Sequence, residues 1–386
     1  MKCKRVNTNR RGSALFAVLL IVMAITILSL GFLSRSDVEL ACGENMILRT
    51  QMDCLAESGL EHARGLILNP QDVTSEYWTG ETGQQLVEGS DDYYDVSVAK
   101  LSDCNYQITC NAYREKNGER IGRSSLEAEL RLDHCIALRT GSSWYTEPGT
   151  TVNGDVYTKG TLLTGTGYIN GDAFATGTIG AANVQGQKYP GISDSDAPVS
   201  FPGLAISYFT PQYHIGSDSY SPDVITATDI NNVVLGTDGE NPAGVYYRNG
   251  DLRLSGNAVV NGTLVVTGEL EIKGSGNSIT AMKNFPALVV GDKLQMHDNA
   301  QLTITGLAQI KDKVERTGST MGASLSVVGA LFIRDYDIDG FESSASNIIN
   351  VTAAPDKAAV EIWSSTGTVL KRWSPAGGAF FKSIKR

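Results

Sequence analysis

Histidine is scarce in this chain of 386 residues, with four copies (His62, His134, His214 and His297), and no Cys-x-x-Cys pair or Cys/His cluster accompanies them. A sequence-encoded zinc module is therefore not expected, and the four histidines read as ordinary surface or core residues. Positive charge is also in deficit: 32 Lys and Arg stand against 42 Asp and Glu, a net charge of −10. A protein that neutralises a phosphate backbone needs the opposite balance, so no nucleic-acid partner is expected. Charged residues make up only 19% of the chain while glycine reaches 41 copies, which fits turn-rich β structure better than disorder.

What is present begins with residues 13–33 (SALFAVLLIVMAITILSLGFL), a stretch without a charge. About 20 apolar residues are enough for a helix to cross a bilayer. The cations ahead of it (Lys2, Lys4, Arg5, Arg10 and Arg11) keep the N-terminus cytoplasmic, so the bulk of a single-pass inner-membrane protein is expected in the periplasm. A secretory signal would show a shorter apolar core and a small-x-small cleavage site. Here Arg35, Ser36 and Asp37 follow instead, and the helical pattern runs to about Leu68, where Asn69-Pro70 stops it. Val38, Leu40, Ile47, Leu55, Leu60, Leu66 and Ile67 supply an apolar side for packing.

Arg11-Gly12 followed by Ser13-Ala14-Leu15-Phe16 resembles the precursor junction of the type IV pilin superfamily. The resemblance implies a leader over residues 1–12, cleavage by a prepilin peptidase after Gly12, a methylated Ser13 as the mature N-terminus, and other pilins or pseudopilins as partners through the helix of residues 13–68. Loss of the leader's five cations takes the net charge from −10 to −15. The acid usual at the fifth mature position is Ala17 here, as in tip-type members such as the K-type pseudopilin. The stretch Ala56-Glu57-Ser58-Gly59-Leu60-Glu61 with Ala63-Arg64 resembles PilX-type minor pilins in particular.

Past a polar loop, three segments alternate as half-buried strands: Tyr94–Leu101, Asn105–Tyr113 and Ile121–Leu132, with Lys116-Asn117-Gly118 turning the second into the third. Residues 69–139 are thus expected to form a small antiparallel, pilin-like sheet against the helix, through Val96, Val98, Ile108, Cys110, Leu126 and Leu130. Cys42 and Cys54 cannot pair within one helix, being about 18 Å apart along it. A Cys110–Cys135 disulfide on adjacent strands is the favoured pairing in an oxidising compartment.

From about Thr140 the composition shifts and repeats set in. The stretch Val152 to Gly160 recurs as Ile169 to Gly177, and Gly250, Gly256, Gly262, Gly268 and Gly274 fall at a spacing of six. Two apolar columns lie between them: Leu252, Ala258, Leu264, Leu270 and Leu254, Val260, Val266, Ile272. Such a unit is a short strand and a corner, three to a coil of about 18 residues, and only stacking of coils buries the columns. The fold class expected is α+β: a transmembrane helix with an antiparallel sheet, then a parallel β-solenoid head over residues 140–386. Residues 187–242 break the period as an irregular excursion, and Trp373 to Phe380 are expected to close the open end.

Three functions compete: a minor pilin whose head primes assembly or contacts a surface or polysaccharide; a K-type minor pseudopilin of a type II secretion system, usually built with a helical insert; and a carbohydrate-binding or carbohydrate-active β-helix on a membrane anchor. The outward positions Arg253, Val259, Val265, Glu271 and Lys273 show no paired carboxylates of the kind glycosidic chemistry needs, so no enzyme is expected. No cofactor is expected either, apart from calcium at Asp335, Asp337 and Asp339, which copy the first half of a calcium loop but meet Ser346 where position 12 requires Glu.

Overall fold

The computed structural model describes residues 11–68, 78–102, 104–163, 165–180, 183–319, 322–342 and 344–385. The expected leader up to Arg10 and the expected helix stop at Asn69-Pro70 lie outside them.

One helix, α1 (Arg11–Leu68), runs for 58 residues, about 87 Å of rise. Leu15 to Leu40 are bare, whereas Met52, Leu55, Ala56, Leu60, Ala63 and Ile67 are buried. Their spacing of three and four residues makes a single stripe, and that stripe meets an antiparallel sheet. Four of its strands follow in sequence: β1 (Gly80–Gln84), β2 (Asp92–Ser102), β3 (Asn105–Lys116) and β4 (Glu119–Thr140). Asn117 and Gly118 both take positive φ in the β3–β4 turn, as a two-residue turn of this hand requires. The fifth is the C-terminal strand β5 (Ala376–Lys385), which pairs antiparallel with β4 from Cys135 to Glu127. The expectation that Trp373 to Phe380 close the end of the stack is thus corrected: β4 has a bare edge inside the sheet, and its ladder accepts the last strand there.

At Cys135 the same β4 leaves the antiparallel sheet and enters a stack of short parallel strands. Each strand pairs with its counterpart one coil further on, as in Leu252 on Leu270, Arg253 on Glu271 and Leu254 on Ile272, and again in Tyr157 on Phe174 and Val152 on Ile169. The inward columns Leu252, Leu254, Val260, Leu264, Val266, Leu270 and Ile272 are buried, each contributing about 1.5–3 kcal/mol relative to exposure. The corners use glycine where backbone passes backbone: a Cβ on Gly262 would lie 2.1 Å from the Gly244 carbonyl oxygen.

The order of the coils departs from the order of the chain. One ladder runs without a break from Val224 through Tyr247, Val265, Val289, Gln309 and Phe332, and then continues in Arg139, Tyr157, Phe174 and Tyr189. The chain therefore enters at the middle, builds to one end at Tyr189, crosses to the other end, and builds back. The crossing is the inner part of the irregular excursion; the expected bounds of 187–242 are corrected, because Lys188–Pro190 at one end and Asp223–Val224, Asp229–Asn231 and Val234–Leu235 at the other pair in register as strands of the stack. It lies as a strap on the outer face of that ladder, where Val199, Leu204, Phe209 and Tyr213 pack on Tyr157, Val265, Val289 and Phe332 in a second core. Two outward polar side chains fasten it. Arg139 donates to the Val199 carbonyl and to Asp194, both at 2.9 Å, and the Gln309 amide both accepts from and donates to the Leu204 backbone at 2.8 Å. Val265, expected on an outward position, does face outward and is fully buried beneath this strap.

Candidate functional site

The feature with the clearest capacity for interaction is α1 itself. Among the described residues it is the helix long and apolar enough to cross a membrane, and none of its apolar window is buried. Gly12 and Ser13 fall in its first turn. Further along, the helix docks through Gly59: a Cβ there would lie 2.3 Å from the Cys110 sulfur and 2.9 Å from the Tyr94 ring. Polar clamps flank the seam, with Tyr94 hydroxyl and His62 Nδ1 at 3.0 Å and Ser124 donating to Asp53 at 2.5 Å. Burial, with Asp95 nearby, pushes the Cys110 thiol up to about 12, so it is protonated and inert at neutral pH. Where the helix leaves the sheet, a groove of about 730 Å³ opens between it and the segment after β1, lined by Met46, Ile47, Cys54, Leu86 and Val87 among others.

The disulfide differs from expectation. Cys104 bonds to Cys135, with 6.6 Å between their Cα atoms, and Cys110 is free and buried. The Cys110–Cys135 assignment fails on register: the β3–β4 hairpin sets Leu126 opposite Cys110, which leaves Cys135 nine residues further along β4, about 30 Å away. Cys104, at the start of β3, instead faces that end of β4, and its carbonyl accepts from the Leu132 amide at 2.9 Å.

The acids of the half calcium loop stand apart from one another. Asp335, Asp337 and Asp339 are not brought together as ligands; Asp339 lies 3.6 Å from the Lys313 ammonium and Asp335 lies 3.8 Å from the Arg334 guanidinium. Asp335 lies in a bend and Asp339 in the short strand Ile338–Asp339, whereas a calcium loop folds its carboxylates around one point.

A second concavity of about 530 Å³ lies where β4 changes sheets, bordered by the disulfide, Asn153, Asp155, Asn170 and Asp172. The repeated Asn-Gly-Asp turns act as clips here: Asp155 accepts from the Asp172 amide at 2.8 Å, and Asn170 donates to Asn153 at 2.8 Å. His134, which has no motif around it in the sequence, points at these acids. Its Nδ1 lies 3.5 Å from Asp133, 3.8 Å from Asp155 and 4.0 Å from Asp172. The signal that could have found this cluster is the repeated turn, which sets Asp155 and Asp172 in one corner column next to the residues that precede Cys135.

No protein-family model matches the chain, and no curated protein matches it. Among solved structures it is similar to the competence-associated pilin ComZ from Thermus thermophilus, with 11% identity, 88% of this chain and 97% of that chain covered, and a TM-score of 0.26.

Proposed function

We propose that this chain is a minor pilin-like subunit of a type IV pilus, held in the inner membrane by residues 13–33 before assembly and carrying a β-solenoid head for assembly priming or surface contact. The observation that carries the reading is the single helix from Arg11 to Leu68, bare over its apolar half and docked on an antiparallel sheet over the rest. A helix used this way serves two solvents in turn: lipid before assembly, and the apolar faces of neighbouring subunits afterwards. The groove beside Leu86 and Val87 extends that apolar surface past the membrane.

The junction Arg11-Gly12-Ser13 supports peptidase processing on the cytoplasmic side, giving a methylated Ser13. The one-coil registers on three faces support the solenoid. Among the described residues after Leu68 the α-helix is Pro355–Ala358 alone, which favours the pilus over the K-type pseudopilin with its helical insert. The reading assigns no catalytic step to the head. N-terminal sequencing of the chain co-expressed with a prepilin peptidase tests it: the expected start is Ser13 with the helix retained, and a chain beginning beyond Leu33 overturns it.

A further inference from the structure

We propose that Asp133, His134 and Asp155 form a binding site for one divalent transition-metal ion of the zinc class, set at the joint between the antiparallel sheet and the parallel stack. One ligand atom from each lies within 4.8 Å of the others, and among the described residues this set of three is the one that meets that condition. The separations carry the argument. Zinc–nitrogen and zinc–oxygen bonds of about 2.0–2.2 Å set tetrahedral ligand atoms about 3.4 Å apart, and His134 Nδ1 is 3.5 Å from Asp133 Oδ1 and 3.8 Å from Asp155 Oδ2. Asp172 Oδ2, at 4.0 Å from the same nitrogen, stands next in line for the remaining position.

His134 Nδ1 is shielded from solvent and makes no hydrogen bond, so this nitrogen faces the acids without a competing donor or acceptor. The acids are oriented from behind. Asp155 Oδ2 accepts from the Cys135 amide at 2.8 Å and its Oδ1 from the Asp172 amide at 2.8 Å, while Asp172 Oδ1 accepts from the Gln187 amide at 2.7 Å and leaves Oδ2 forward. Such outer hydrogen bonds hold ligating carboxylates in place. Arg131 approaches Asp133 at 3.9 Å but is half exposed and can swing into water. The imidazole selects the metal, because calcium prefers an all-oxygen shell of six to eight ligands whereas nitrogen suits zinc and its neighbours.

The ion would tie β4, at its change of sheet, to the first Asn-Gly-Asp corner of the stack, beside the Cys104–Cys135 bond. No motif marks this in the sequence because the ligands come from two segments that only the fold brings together.

The test uses the full chain in detergent, stripped of metal, with exposed Cys42 and Cys54 changed to Ser so that surface thiols do not compete. Titration with Zn²⁺ by calorimetry is expected to show one site per chain. His134→Ala and Asp133→Asn should each weaken it at least tenfold, and millimolar Ca²⁺ should not displace the zinc. Asp133→Asn keeps the backbone clips intact and so remains informative if the His134 variant folds poorly. Zinc binding unchanged in both variants, displacement by calcium, or no saturable binding would each overturn the site and leave His134 as an imidazole packed beside these acids.

Discussion

From Tyr106 to Ala112 burial in β3 alternates: Tyr106, Ile108, Cys110 and Ala112 are buried while Gln107, Thr109 and Asn111 are not, because one face meets α1 and the other meets water. The parallel strand Thr263–Val266 is buried at all four positions, and Ala173–Ala175 at all three. Both regions are β structure in one chain, joined through β4, yet the period-two signal reports burial in the first and fails on this face of the second, while another face of the stack, as at Leu252–Ser255, still alternates. The difference is the strap. A sheet with one wet face displays its alternation, whereas a sheet covered on both faces reads as a continuous apolar run.

The strongest way to break this comparison is Phe332→Ala. The side chain points outward from the stack but is fully buried, edge-on to Trp373 with centroids 4.9 Å apart. A loss of about 3–5 kcal/mol is expected in denaturant unfolding of the full chain in detergent; a near-zero loss would make the outer face wet and restore the simple alternation. Next comes Cys104→Ser, which opens a loop spanning 31 residues between the two regions and should cost about 2–4 kcal/mol. Peptide mapping without reductant should recover Cys104 linked to Cys135 in the parent.

Glu147 sharpens the comparison from within the stack. Burial lifts its carboxyl from the ordinary 4.5 to about 8, against hydrogen bonds that include one from Thr150. The folded state therefore holds a proton that the unfolded state releases, so stability is fully present below about pH 4.5 and declines as pH rises through about 8. Glu147→Gln should flatten that decline, gaining about 1–3 kcal/mol over the parent at pH 9 and nothing at pH 4. The smallest effect belongs to the wet face of the stack. Arg253 meets Glu271 at 2.7 Å with both side chains partly exposed, and Arg253→Ala should cost about 0.2–1 kcal/mol, an amount that shrinks with added salt.

Much of the architecture was legible locally. The uncharged run of residues 13–33, the β3–β4 turn at Asn117-Gly118 and the six-residue glycine spacing each declare a local geometry, and the vertical pairs from Leu252 on Leu270 to Tyr157 on Phe174 follow from the repeat length alone. What stayed hidden is long-range. No local period tells that Phe332 will lie on Arg139, that Lys382 will reach Glu129, or that the segment holding Val199, Leu204, Phe209 and Tyr213 will cover a face. Cys104 is intermediate: the hairpin register contains the answer, but only once pairing is counted back from Asn117-Gly118. The Asp133, His134 and Asp155 cluster needed both the change of sheet at Cys135 and the corner at Gly154, and no single segment carries both.

The threading of the stack from its middle has a consequence for how the chain comes to be folded. As the polypeptide emerges from its N-terminus, the coils of residues 138–190 form first, with one edge bare. That edge is met first when Phe332 reaches Arg139 and is covered further when Thr352 reaches Asn153 across 199 residues of sequence, and β4 gains its last neighbour only when Lys382 reaches Glu129 across 253. Contacts this remote demand the loop-closure entropy before they return anything, and a bare strand edge is a template for the wrong partner while it waits. The C-terminus is therefore the clasp on which folding waits. A chain cut short by the length of β5 would leave β4 open to strand addition, so a nascent chain of this kind depends on being shielded until its final residues are delivered.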